Sequence, residues 1–405
     1  MNKAAHPPAA NPHPRHHAVP PYLLMSMAAC DGAWEAPEAM RKFISRPPGP
    51  GEPEGPGPEA RTRIATRARQ TLLLDQALLH ERATTPTDIG RLIEPSGRLK
   101  RTVSDAQGAE TTPGTTARAE GRTPVADLDA NRAHDGLGAV HGFLVGMLKR
   151  NSLDGAGLGL RGTVHYGQHY DNAFWDGTQM VMGDGDGEIF NSFTSSLSVI
   201  AHEMGHGLLQ HTTSLAYRGQ SGALNESIAD VFGALVEQFV AGDDAASASW
   251  LIGEGLLTDK VQGAALRSMA APGTAYDDPI LGKDPQPATM AGYVDTDEDN
   301  GGVHLNSGIP NHAFYLFATA LGGNAWETAG SLWFNVIATR ALPEDADFGT
   351  FAEQTLLQAR RDHGEGSEVE LALARAWDTV GVVPRVKDSD DESPDTGRAP
   401  RPRRP

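Results

Sequence analysis

Residues His202-Glu203-Met204-Gly205-His206 constrain this chain more than any other stretch. Side chains four apart on a helix stack on one face, so His202 and His206 can offer ring nitrogens to one cation while Glu203 leans toward the same space. Val199, Ile200, Met204, Leu208 and Leu209 supply the apolar spacing that a packed helix needs. The pentapeptide is short enough to arise by chance, and the plain alternative is two surface histidines beside a solvated glutamate. The segment Ala223-Leu-Asn-Glu-Ser-Ile-Ala-Asp230 weighs against that alternative. Leu224, Ile228, Val231, Phe232, Leu235 and Phe239 recur at helical spacing, which sets Glu226 and Asp230 one turn apart on the same side. A catalytic zinc wants three protein ligands and an open position for water, a need that His202, His206 and Glu226 meet. Asp230 then offers the carboxylate that usually holds a ligating histidine by its other ring nitrogen. Spacing alone leaves a solvated helix face as the competing account of both acids.

The 405 residues exceed the usual length of one domain, so two structured domains with additions are expected. The first 60 residues are rich in Pro, His and Gly, and the tail from Lys387 passes through an acidic patch into Arg-Pro repeats; both compositions suit linkers or disorder. A structured part spanning about Leu99 to Val383 follows. Ahead of it, residues Thr62 to Arg82 read as a helix with Ile64, Ala68, Leu72, Leu78 and Leu79 roughly on one face, although Asp75 interrupts that face. Residues 99–193 have the Gly, Thr and Asp content of strands and turns, including 162–166 and 179–182, around a helix near Ala139 to Lys149. From Leu197 onward the periodicity is helical, including 311–321 and 325–341, so the fold class is α+β with a β-rich half followed by an α-rich half.

The stretch from Ser198 to Gly233 resembles the thermolysin family of metallopeptidases, in which HExxH is followed by a glutamate ligand in an NExxxD helix: here His202, Glu203, His206, Asn225, Glu226 and Asp230. Tyr170-Asp-Asn-Ala-Phe-Trp-Asp-Gly-Thr-Gln-Met looks like the family's edge-strand region, and Asp299 to Asn311 looks like the segment with its transition-state histidine. The resemblance implies a two-domain fold, 91–196 β-rich and 197–383 helical, with the active-site helix between, a propeptide and linker over 1–90 and a tail over 384–405. It implies a zinc-dependent endopeptidase in which Glu203 is the base, His304 and Tyr217 stabilise the oxyanion, Asp299 holds His304, and Asn225 and Asp230 support the ligands. Read without the family, Tyr217 is an ordinary loop tyrosine and His304 an ordinary turn residue. By the same resemblance Asn172, the Ala173 carbonyl and Arg267 bind the substrate main chain as an added strand. Phe190, Phe193, Val199, Ile252 and Leu266 line the pocket after the scissile bond, which implies a bulky hydrophobic residue there. A catalytically inactive zinc-binding protein and a zinc aminopeptidase are the alternatives.

The family's paired calcium site is depleted. Glu237 and Glu254 are present, but Ser198, Ser249 and Gly255 stand where acids are often found, and calcium wants about six to eight oxygens. Val19-Pro-Pro-Tyr-Leu-Leu24 resembles the short propeptide of the protealysin branch, which folds against the cleft; cleavage between Thr84 and Arg98 would release it. A net charge of −18 argues against nucleic acid, and a single cysteine, Cys30, excludes an internal disulfide. There is no apolar run long enough to span a membrane and no secretory signal, so a monomer exported by a non-classical route is expected, with a cytoplasmic protein as the alternative.

Overall fold

The computed structural model describes residues 16–43, 55–84, 99–340 and 342–385. The expected cleavage stretch, 85–98, and the tail from 386 lie outside the described residues. A six-stranded sheet of order β1-β5-β6-β4-β2-β3 forms the first layer. Its strands are β1 (His16–His17), β2 (Arg101–Asp105), β3 (Thr115–Ala119), β4 (Leu160–Val164), β5 (Ala173–Trp175) and β6 (Met180–Met182). β2, β4 and β6 run parallel to their neighbours in the centre, while β1–β5, β5–β6 and β2–β3 are antiparallel. Helix α3 (Leu128–Gly146) packs on this sheet through Leu137, Val140 and Leu144. It starts eleven residues before the expected Ala139, because the Asp127 side chain accepts from the amides of Asp129 and Ala130 and caps a first turn that carries little apolar signal. Lys149, expected inside the helix, lies beyond its end in a left-handed conformation at φ 52°.

The first 60 residues are not merely linker, contrary to their composition. Pro20 and Pro21 preset the entry to α1 (Pro21–Ala29), where a missing amide costs nothing. Tyr22, Leu23, Leu24 and Met27 are then fully buried, each worth roughly 1.5–3 kcal/mol before ordering costs. Helix α2 (Pro58–Thr84) extends beyond the expected Thr62–Arg82 at both ends and lies against α1, burying Ile64, Ala65 and Ala68. The Ser26 hydroxyl donates to the Ile280 carbonyl at 2.8 Å, so this N-terminal unit is bonded to the C-terminal half as well as packed on it.

The second layer is helical. Helices α4 (Leu197–Thr212) and α5 (Gly219–Ala241) cross so closely that a Cβ added to Gly233 would stand 2.6 Å from the Ser198 carbonyl oxygen. Gly205 faces the Ala229 backbone in the same way, with 3.1 Å available. That approach sets the short side chains of the two helices within reach of one ion. Hairpin β7 (Leu251–Ile252) and β8 (Arg267–Ser268) closes one side. Helices α6 (Asp299–Asn306), α7 (Gly308–Leu321), α8 (Thr328–Ala338), α9 (Phe348–His363) and α10 (Glu368–Thr379) complete the bundle around the stacked rings of Trp333 and Trp377. Among the described residues no helix is long and apolar enough to cross a membrane.

Candidate active site

The helix crossing brings His202, His206 and Glu226 together in a buried cluster. His202 Nε2 and His206 Nε2 are 3.1 Å apart, and each is 3.5 Å from a Glu226 carboxylate oxygen. A tetrahedral ion with bonds of about 2.0–2.1 Å has donor atoms roughly 3.3 Å apart, so these distances fit zinc. Glu226 Oε2 is buried with no hydrogen-bond donor, which is the condition of a carboxylate oxygen that a cation satisfies. Burial opposes the charge on Glu226, but the histidines around it, His304 foremost, outweigh it and hold the carboxyl well below its usual range. Burial keeps His206 neutral, the form in which imidazole ligates.

The supporting groups stand around this triangle. His202 Nδ1 is 2.8 Å from Asp230 Oδ1, and His206 Nδ1 is 2.9 Å from Asn225 Oδ1. Asp230 also accepts from Arg267 through Nε and Nη2, at 2.9 and 2.8 Å, and from Asn311 Nδ2 at 2.8 Å. Neither the Arg267 pairing nor the Asn311 contact was read from the sequence, although Asn311 closes the block that contains His304.

Glu203 lies beside the cluster with Oε2 held at 2.8 Å by the Trp175 amide of β5. Burial raises its carboxyl to about 8, with the Glu226 charge adding to the rise and His202 opposing it. Tyr217 donates its hydroxyl to Glu226 and lies 3.3 Å from His304 Nε2. His304 Nδ1 is 2.6 Å from Asp299 Oδ1, and Asp299 Oδ2 accepts from the His304 amide at 2.9 Å. Burial works against the His304 charge, but Asp299 and then Glu226 outweigh it and hold the ring up to about 9. The backbone at 299–302 is left-handed throughout, φ 52° to 86°, so Asp299 is aimed by a strained turn rather than by regular helix.

The cleft along β5 is filled by the chain's own residues 16–19. The Ala18 amide donates to the Ala173 carbonyl at 2.9 Å and the Val19 amide to Asn172 Oδ1 at 2.8 Å. Arg267 Nη1 donates to the Ala18 carbonyl at 3.1 Å. The three groups expected to read a peptide main chain therefore all touch this segment. Phe190, Phe193, Val199, Ile252 and Leu266 are buried in one contiguous apolar cluster that also contains Val19. Asp75, which seemed to spoil the apolar face of α2, accepts from Asn172 Nδ2 at 3.1 Å and from the Tyr170 hydroxyl at 2.5 Å, and lies 3.3 Å from His17 Nε2. A polar residue on an otherwise apolar face was the one signal of it in the sequence.

At the depleted calcium position, Glu237 and Glu254 line one cavity with Asp243, Ser247 and Ser249. Burial lifts the Glu237 carboxyl to about 7; a Ser198 hydrogen bond opposes this and Glu254 adds to it. Gly255 sits at φ 78°, where an acidic side chain would be strained.

Residues 95–210 match the thermolysin metallopeptidase catalytic domain and residues 213–382 its alpha-helical domain. An extracellular metalloprotease of Pectobacterium carotovorum subsp. carotovorum is 49% identical over 318 residues, 78% of this chain and 90% of the relative. Protease PrtS of a Photorhabdus species is 46% identical over 323 residues, 79% of this chain and 86% of the relative. The solved precursor of protealysin, a metalloproteinase from Serratia proteamaculans, superposes with a TM-score of 0.76 at 44% identity, covering 91% of this chain and 100% of that one. The agreement runs through both layers and through the N-terminal unit, and on it this chain belongs to the thermolysin family of metallopeptidases.

Proposed function

We propose that the chain is a zinc-dependent neutral endopeptidase, made as a zymogen that removes its own N-terminal segment and cuts before a bulky hydrophobic residue. The observation that carries this reading is the path of residues 16–19 through the cleft, bonded to Ala173, Asn172 and Arg267 with chain continuing on both sides. A site built for a free amino terminus would be closed on one side. His202, His206 and Glu226 would hold the zinc, which when bound acidifies a water and polarises the scissile carbonyl. Glu203, fixed by the Trp175 amide, would take a proton from the attacking water on its other carboxylate oxygen and pass it to the leaving amine; a carboxyl lifted toward neutrality suits both transfers. Tyr217 and His304, the latter kept charged by Asp299, donate to the developing oxyanion. Asn172, Ala173 and Arg267 align the peptide, and the apolar wall of Phe190, Phe193, Val199, Ile252 and Leu266 selects the residue that follows the cut. Glu203, Tyr217 and His304 are all retained, which disfavours an inactive zinc protein. The kinship with an extracellular metalloprotease supports secretion and action on peptides and proteins; the chain is read as a monomer, and Glu237 and Glu254 give calcium only a minor role.

The test is a digest of an end-blocked protein with and without chelator. Internal cuts that stop on chelation and return with zinc are expected, as is a Glu203→Gln chain that keeps zinc and stays full length. Cuts confined to chain ends, or a Glu203→Gln chain that matures at the parent rate in a protease-free host, would refute the reading.

A further inference from the structure

The segment in the cleft brings a histidine to the metal cluster. In β1, His16 pairs with Trp175 and His17 with Phe174, so the two imidazoles leave the strand on opposite faces. His17 turns to Asp75, while His16 turns to the ligands. The His16 ring stacks on His206 with centroids 3.8 Å apart and 13° between planes, and stands edge-on to Tyr217 at 4.2 Å. Its Nδ1 is 3.7 Å from Glu226 Oε1. His16, His206 and Glu226 form a second set of three ligating side chains, with donor atoms all within 4.8 Å of one another.

We propose that His16 is a fourth protein ligand for the catalytic zinc in the unprocessed chain, taking the position where water binds in a working site. The inference rests on the zinc reading of the cluster given above. The 3.7 Å separation compares with roughly 3.3 Å between donors on one tetrahedral ion. Imidazole binds an ion in its own plane, so ligation entails a turn of the His16 ring out of its stack on His206. His16 is also buried, 5% exposed, and the bonds of Ala18 to Ala173 and Arg267 hold its strand in the cleft. A strand laid along β5 in the manner of a substrate would then carry its own protection: the ligand on it removes the water that hydrolysis needs. Latency and the fourth ligand become one property, lost together when the strand leaves.

The experiment is zinc-edge X-ray absorption on the full chain carrying Glu203→Gln, which keeps the N-terminal segment attached. Three imidazole nitrogens around zinc are expected. Adding His16→Ala lowers the number to two and speeds loss of zinc to a chelator by about tenfold or more. Adding His17→Ala, on the other face of the same strand, leaves three. Two imidazoles in the Glu203→Gln chain itself would overturn the proposal while leaving the zinc site intact. A chain that binds no zinc would instead refute the reading of the site beneath it.

Discussion

Replacing Arg267 with Met tests how the metal cluster is held. Arg267 is 1% exposed and makes both hydrogen bonds of a forked pair to Asp230, which is itself fully buried. Methionine retains most of the apolar stem, so the change isolates the charge and the fork. Breaking one partner of a buried pair costs about 3–5 kcal/mol, since a charge is left without compensation. Asp230 keeps Asn311 and His202 as neighbours at 2.8 Å, which puts the expected loss near the lower end, about 3 kcal/mol. In a protein of this size that is a fall in Tm of roughly 3–5 °C. The bond from Arg267 to the Ala18 carbonyl is lost as well, and it counts only while the N-terminal segment is attached. Thermal unfolding in a Glu203→Gln background, which avoids self-digestion, measures the loss. Asp230→Asn and the double variant complete a cycle in which the paired loss falls short of the sum by about 2 kcal/mol. A Tm within about 1 °C of the parent, or strict additivity, would show that Asp230 is held by its other partners and that Arg267 serves the substrate alone.

Three further outcomes are expected. Gly233→Ala sets a methyl 2.6 Å from the Ser198 carbonyl and forces α4 and α5 apart, so zinc should leave about tenfold faster, with a loss of roughly 1–3 kcal/mol in unfolding experiments. Asp75→Ala removes the acceptor shared by Tyr170 and Asn172, and peptide hydrolysis by the still unprocessed chain should rise about tenfold or more. His165, bridging Asp184 and Asp127 at 2.7 and 3.0 Å, is held up to about 9 by the Asp184 bond, against burial and with help from Asp127. Its folded value lies above the ordinary 6.5, so its stabilisation is complete below about pH 6.5 and is lost as pH rises toward 9. With partial exposure the loss should be about 1–2 kcal/mol, seen as a Tm slope that His165→Gln removes.

The site was legible where its logic is local. His202 with His206, and Glu226 with Asp230, are fixed by helical spacing, and no knowledge of the rest of the chain is needed to set them on one face. Asp75 was opaque for the opposite reason: its partners Tyr170 and Asn172 are 95 and 97 residues away, so only the blemish on the α2 face was visible. The first 60 residues misled by composition, because Pro20 and Pro21 start a helix whose apolar side chains find their core in another part of the molecule. The early start of α3 had a readable cap in Asp127, but Ala130 and Ala133 are too small to announce a turn that packs.

Among the described residues, strand β5 has β6 on one side and the two residues of β1 on the other. Once β1 departs, the row of main-chain groups it covered is offered to any guest that can lie flat against it. A guest must therefore arrive with several consecutive residues straightened and one side of its backbone unengaged, a condition that helices and interior strands of folded proteins do not meet. The mature enzyme would thus read the looseness of its targets before their side chains. Tightly folded proteins would be consumed at the pace of their own local opening, while linkers, tails and heat-damaged chains would be cut first.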